Sequence, residues 1–128
     1  MADKEKLYFT EEHEWVELVK DDYVRIGISE YATEQLGDIV FVELPEVDAE
    51  LDAEDEFATV ESVKSTSEIY APVKGKVAKI NDSLEDEPEK LNDSPFEDGW
   101  LIEMQASEAV DVSGLMDAKA YDEYVSNL

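Results

Sequence analysis

A chain of 128 residues, 43% of them hydrophobic, holds enough apolar material for one compact core. It has no cysteine, which excludes disulfides, cysteine nucleophiles and thiolate metal sites; any thiol chemistry must come from a bound group. With 35 acidic against 10 basic residues, the net charge of -25 repels nucleic acid and anionic membrane. The acidity reads as surface solvation, as steering toward basic docking faces, or as the mark of a salt-loving source.

The N-terminal segment MADKEKLYFTEEHEW resembles neither a secretory signal nor a transit peptide. No stretch approaches the ~20 apolar residues of a membrane span, so a soluble, cytoplasmic protein is expected. Trp15 to Val19 and Tyr23 to Ile28 read as strands joined by Lys20-Asp21-Asp22. Ser29 caps a short helix through Leu36, with Gly37 at its C-terminal end. Ile39 to Leu44 is β-branched and apolar, and Pro45 ends it. Phe57 to Val63 and Glu68 to Val73 form the two arms of a hairpin. Lys74-Gly75 turns the chain into a strand over Val77 to Ile80.

Asn81 to Gly99 is acidic and proline-punctuated, a loop with one or two helical turns. Trp100 to Gln105 is a last strand. Asp117 caps a C-terminal helix whose Tyr121, Tyr124, Val125 and Leu128 share one face. There is no long repeat, low-complexity linker or domain boundary, so residues 1–128 are expected to form a single domain. Many short strands with turns between them predict a sandwich or barrel-like β domain with peripheral helices.

The stretch ESVKSTSEIYAPVKGKV, Glu61 to Val77, places one lysine, Lys64, at a hairpin tip. An amine forms an amide with a carboxylic acid cofactor only where a modifying enzyme can reach it, and a tip held by two paired strands gives both exposure and a fixed position. The short side chains of Ser62, Ser65, Thr66 and Ser67 leave room for an enzyme cleft to close over it. The plainer alternative is an exposed turn lysine.

The residues around Lys64 bear on that choice. Glu61-Ser62-Val63-Lys64, with Tyr70-Ala71-Pro72-Val73 and Gly75, resembles the lipoyl-lysine hairpin of the glycine cleavage system H proteins. Similar blocks run from about Tyr8 to Tyr124: Glu12-His13-Glu14-Trp15-Val16, Gly27-Ile28 through Pro45, Leu84-Glu85-Asp86, and Asn92-Asp93-Ser94-Pro95-Phe96 through Leu101. The resemblance implies a flattened, mainly β fold of the lipoyl/biotinyl carrier type, a hybrid of sandwich and barrel with two antiparallel sheets, short peripheral helices and a C-terminal helix. It implies lipoic acid in amide linkage at Lys64. It also implies a non-catalytic, monomeric carrier that takes the aminomethyl group of glycine from glycine decarboxylase to an aminomethyltransferase. Dihydrolipoyl dehydrogenase then reoxidises the arm, and a lipoate-attaching enzyme installs it.

The resemblance further assigns roles around the arm. The loaded arm ends in a cationic, hydrolysis-prone amine, and the acids matching Glu14 and Glu68 lie where a protecting cleft forms. Glu61 matches an acid that helps the attaching enzyme recognise the tip. For Glu14 and Glu68 a solvated carboxylate is the alternative, and for Glu61 a strand-end charge. Gln35 stands where several members carry a histidine facing the arm; it can hydrogen-bond but cannot titrate near neutral pH. Asp48 and Glu54 stand where the family often has glycine, so these turns carry small strain or use another geometry. Ala58 also replaces a frequent glycine, and its methyl must fit against a neighbour. His13 is the only histidine, which argues against catalysis or zinc binding and for a packing or hydrogen-bonding role beside Trp15.

Competing readings are a biotin carrier, a lipoyl domain of a 2-oxo acid dehydrogenase, a relay that hands lipoate to other proteins, and an unmodified acidic interaction protein. Val63 and Ser65, rather than methionines, flank the lysine, against biotin. The Glu-His-Glu-Trp block and the C-terminal helix argue against a dehydrogenase lipoyl domain. A lipoate relay would use the same lysine.

Overall fold

The computed structural model describes residues 7–20, 23–96, 99–107 and 114–127. The strands are β1 (Tyr8–Phe9), β2 (Glu14–Lys20), β3 (Tyr23–Ile28), β4 (Ile39–Glu43), β5 (Glu50–Leu51), β6 (Glu56–Ser62), β7 (Thr66–Tyr70), β8 (Gly75–Ile80), β9 (Ile102–Ala106) and β10 (Met116–Asp117). The helices are α1 (Glu30–Leu36), α2 (Ser83–Asp86), α3 (Lys90–Asp93) and α4 (Ala118–Ser126). Among the described residues the strands form two open antiparallel sheets, one ordered β10-β1-β2-β3-β9-β8-β5 and one ordered β4-β6-β7.

Their inner faces meet in one apolar core. Val16, Val24, Ile26, Val77, Ile102 and Met104 of the large sheet pack with Ile39, Val42, Val60 and Ile69 of the small one, and Leu36, Leu84 and Leu91 of α1–α3 join them. A second cluster, Leu7, Phe9, Trp15, Ala118 and Tyr121, lies under α4. Neighbouring residues of β2 thus serve two cores, Val16 the first and Trp15 the second. The Trp15 indole donates from Nε1 to Pro95 O (2.9 Å). It also covers Gly27, its partner across the β2–β3 ladder, where a Cβ would lie 2.5 Å from the ring; only glycine fits there. Glu103 on β9 is buried, and Arg25 opposite it (Nη2–Oε2 2.8 Å) and the Tyr23 hydroxyl (2.8 Å) neutralise and hydrogen-bond it.

The predicted elements are present with shifted ends. Ser29 caps α1, its Oγ accepting from Ala32 N (3.2 Å), and Asp117 caps α4, its Oδ1 accepting from Ala120 N (2.8 Å). The second hairpin arm starts at Thr66 and stops at Tyr70, before Pro72, which has no N–H to pair. Gly75 belongs to β8 rather than to a turn. The short strands β1 and β5 exist only by pairing with longer neighbours, and β10 only by pairing with the equally short β1, so no periodicity announced them. Asp21, Asp22 and Leu128 lie outside the described residues. No described helix is long and apolar enough to cross a membrane.

Candidate functional site

Lys64 sits in the three-residue turn between β6 and β7, exposed and without an ion pair to any described residue. Three sets of hydrogen bonds fix the turn. Ser62 N donates to Ser65 O (2.8 Å), Ser62 Oγ accepts from Lys64 N (3.2 Å) and Ser65 N (3.1 Å), and Val63 N donates to Asp38 O (3.1 Å). The first two make a serine turn that closes the tip on itself. The third ties the tip to the loop after α1. A hydroxyl two residues before the lysine is the sequence signal for this clamp; sequence reasoning took Ser62 only as a small residue.

The Lys64 side chain lies back over Gly37, where a Cβ would meet its Cε at 3.2 Å. Gly37 has φ 81°, so glycine there both ends α1 and leaves a bare surface beneath the lysine. Gln35 is exposed two residues earlier on α1. Glu61 is half-buried, paired within the small sheet with Phe41 on one side and Thr66 on the other.

Further down β7, Tyr70 joins the other two acids. Its backbone N donates to Glu14 Oε2 (2.7 Å) and its hydroxyl donates to the exposed Glu68 Oε2 (3.0 Å). The bond to Glu68 raises the Tyr70 hydroxyl above its usual range. Glu14, at the start of β2, is 3% exposed. It is a carboxylate of the large sheet lying against the hairpin of the small one, a contact no local pattern could reveal. Burial lifts its pKa to about 7; the Tyr70 N–H and the Thr10 hydroxyl pull downward but do not offset the desolvation, and Glu12 adds to the rise. Glu14 is therefore poised near half-protonation at neutral pH and is free of any described cationic partner.

His13, next in sequence to Glu14, faces α4 instead. Its Nδ1 lies 2.8 Å from the Tyr121 hydroxyl, which lies 2.6 Å from Ser29 Oγ. The ring packs against Tyr31 (4.7 Å), Tyr121 and Tyr124, and burial lowers its pKa. The structural role expected for it is realised on the tyrosines of α1 and α4. Among the described residues no group of three or more His, Cys, Asp or Glu is placed to hold a metal ion.

Two open antiparallel sheets presenting a lysine on a tight turn are the scaffold of the lipoyl and biotinyl carriers, and that is the class the fold defines. Within it, the family model for the glycine cleavage H-protein matches residues 7–128, and the chain belongs to that family, the lipoyl carrier of the glycine cleavage system. It is 53% identical over 121 residues to the glycine cleavage system H protein of Halalkalibacterium halodurans, covering 94% of both chains. It is 51% identical over 120 residues to that of Chromohalobacter salexigens, covering 94% of this chain and 92% of the relative. The crystal structure of a glycine cleavage system H protein from Mycobacterium marinum superposes with a TM-score of 0.83 at 33% identity, covering 96% of each chain.

Proposed function

We propose that Lys64 is the lipoyl attachment point and that the chain, as one carrier domain, moves the aminomethyl group of glycine between enzymes without catalysing a step itself. The observation that carries this reading is the exposed amine at a tip clamped by Ser62 and tied to Asp38. The residues fit the group: the lysine has no ion pair to surrender among described residues, and its backbone is fixed while its side chain is free to be lengthened. When bound, lipoate supplies the disulfide that takes up and releases the aminomethyl group.

The chain's own part is to hold and shield. Glu14 offers a buried carboxylate toward the hairpin, and an arriving ammonium group would compensate the cost of ionising it. Glu68, on the solvent side of Tyr70, adds a second acid near the same residue. Gln35 stands on α1 near Gly37, where the lysine stem lies, and Glu61 flanks the tip for the attaching enzyme. The partners in this reading are glycine decarboxylase, the aminomethyltransferase, dihydrolipoyl dehydrogenase and a lipoate-attaching enzyme, met in the cytoplasm by a monomer.

Intact mass of protein from a lipoate-replete native source tests the attachment. One lipoyl increment is expected, absent from Lys64→Arg. Because the exposed tip contributes little stability, that variant should melt within a degree or two of wild type. An unmodified wild-type chain overturns the reading.

A further inference from the structure

The strand β4 reads as continuously apolar, Ile39-Val40-Phe41-Val42, yet only Ile39 and Val42 are buried. The register explains why. Ile39 pairs with Ser62 and Phe41 with Glu61, so β4 carries an extra residue, Val40, against β6. Such a bulge breaks the alternation and turns two consecutive apolar side chains outward. Val40 is 54% and Phe41 45% exposed, and Val63, one residue from Lys64 and tied through its N–H to Asp38, is 67% exposed. Val40 and Phe41 lie opposite Glu61 and Ser62, the last residues of β6, and Val63 and Lys64 follow directly in the turn. The core gains nothing from them, and water is a poor neighbour for them.

Resting on the carrier reading, we propose that Val40, Phe41 and Val63 form the seat on which the enzyme that acylates Lys64 docks. Two observations select this occupant. Strand register and chain order set the three residues beside the turn that carries the lysine, and only the attaching enzyme must bring its reacting carbon to the Lys64 Nζ. Enzymes that act on the finished arm meet its distant end. The patch is also fringed by carboxylates, the exposed Asp38 and Glu43 and the half-buried Glu61, so a matching partner presents an apolar surface inside a basic rim. The step served is amide formation from an acyl adenylate. The deprotonated Nζ attacks the acyl carbon and a C–N bond forms. The C–O bond to phosphate breaks with its electron pair leaving on AMP, and the surplus amine proton passes to solvent. Seating the tip positions that amine; it supplies no group to the chemistry.

The test uses the full unmodified chain, a purified lipoate-attaching enzyme, lipoate and ATP, with intact mass as the readout. Phe41→Ser should lower kcat/KM for acylation by about tenfold, through a raised KM for the chain with the saturating rate kept. Val40→Thr, nearly the same shape, should act in the same direction and keeps the test open if Phe41→Ser folds poorly. Leu18→Ser, at an exposed apolar residue on β2 (39% against 45% for Phe41), should stay within about twofold of wild type. Acylation of folded Val40→Thr and Phe41→Ser at the wild-type rate overturns the seat. So does normal acylation with slowed aminomethyl transfer, which hands the patch to a later enzyme. Normal acylation with a wild-type dimer lost in Phe41→Ser hands it to a second copy. Failure of wild-type chain to accept any acyl group is a separate result and overturns the carrier reading instead.

Discussion

Glu14 and His13 are neighbours in sequence whose environments push them in opposite directions. Burial raises the Glu14 pKa from 4.5 to about 7, so the folded chain holds a proton that the unfolded chain releases, and stability falls as pH rises across that interval. The span corresponds to roughly 3 kcal/mol at 1.36 kcal/mol per unit. Glu14→Gln should remove this slope, read from urea midpoints between about pH 4.5 and 7; an unchanged slope rejects a buried, ionisable Glu14. His13 is held below 6.5 by burial, so its contribution is present above pH 6.5 and is lost as pH falls through 6.5 toward the folded value. At the same scale, Glu54 and Asp48 occupy left-handed backbone at φ 72° and 75°, which glycine adopts freely and glutamate does not. Glu54→Gly should raise the unfolding free energy by about 0.5–1 kcal/mol. A lowered urea midpoint contradicts the strain.

At the scale of elements, Tyr121 joins the C-terminal helix to the cap of α1 through its hydroxyl, beside a second bond from the Tyr124 hydroxyl to Glu11 O (3.3 Å). Tyr121 stacks on Phe9 (4.3 Å between centroids) and bridges His13 to Ser29, the cap of α1. The other end of α1 is Gly37, beneath the Lys64 side chain. Tyr121→Phe keeps the ring and removes the bridge, leaving the buried Ser29 hydroxyl and the half-buried His13 ring each short of a partner. It should cost about 1–2 kcal/mol, and amide exchange should speed in α1 and α4 more than in β3 and β9. Uniform exchange would show that the helices are held by packing alone. Element existence was legible from capping residues and apolar runs at Ser29, Gly37, Pro45 and Asp117. The outward turn of Val40 and Phe41 was not, because a bulge is decided by the partner strand and an apolar run looks the same either way.

Over the whole molecule, a net charge of -25 on 128 residues makes the folded chain repel itself. Raising salt from about 0.01 to 0.15 M shortens the screening length from ~30 to ~8 Å, so the Tm should rise by roughly 4 °C or more. A flat response would show that the acids lie too far apart to matter. Apart from the pairs of Arg25 with Glu103 (2.8 Å) and Glu17 (3.9 Å), the ion pairs Lys74–Asp52 (3.8 Å), Lys76–Asp48 (3.6 Å) and Lys90–Glu87 (3.0 Å) engage partly or well exposed groups and contribute little.

The amino-acid sequence by itself determined the hairpin that carries Lys64, the caps of α1 and α4, and the resemblance that named the family, since each depends on residues close together in the chain. Folding decided which acids matter. Of the 35, only the packing of β2 against β7 singles out Glu14 as buried and poised near neutral pH. Desolvation depends on what surrounds a side chain in space, and for Glu14 the decisive neighbour is 56 residues away.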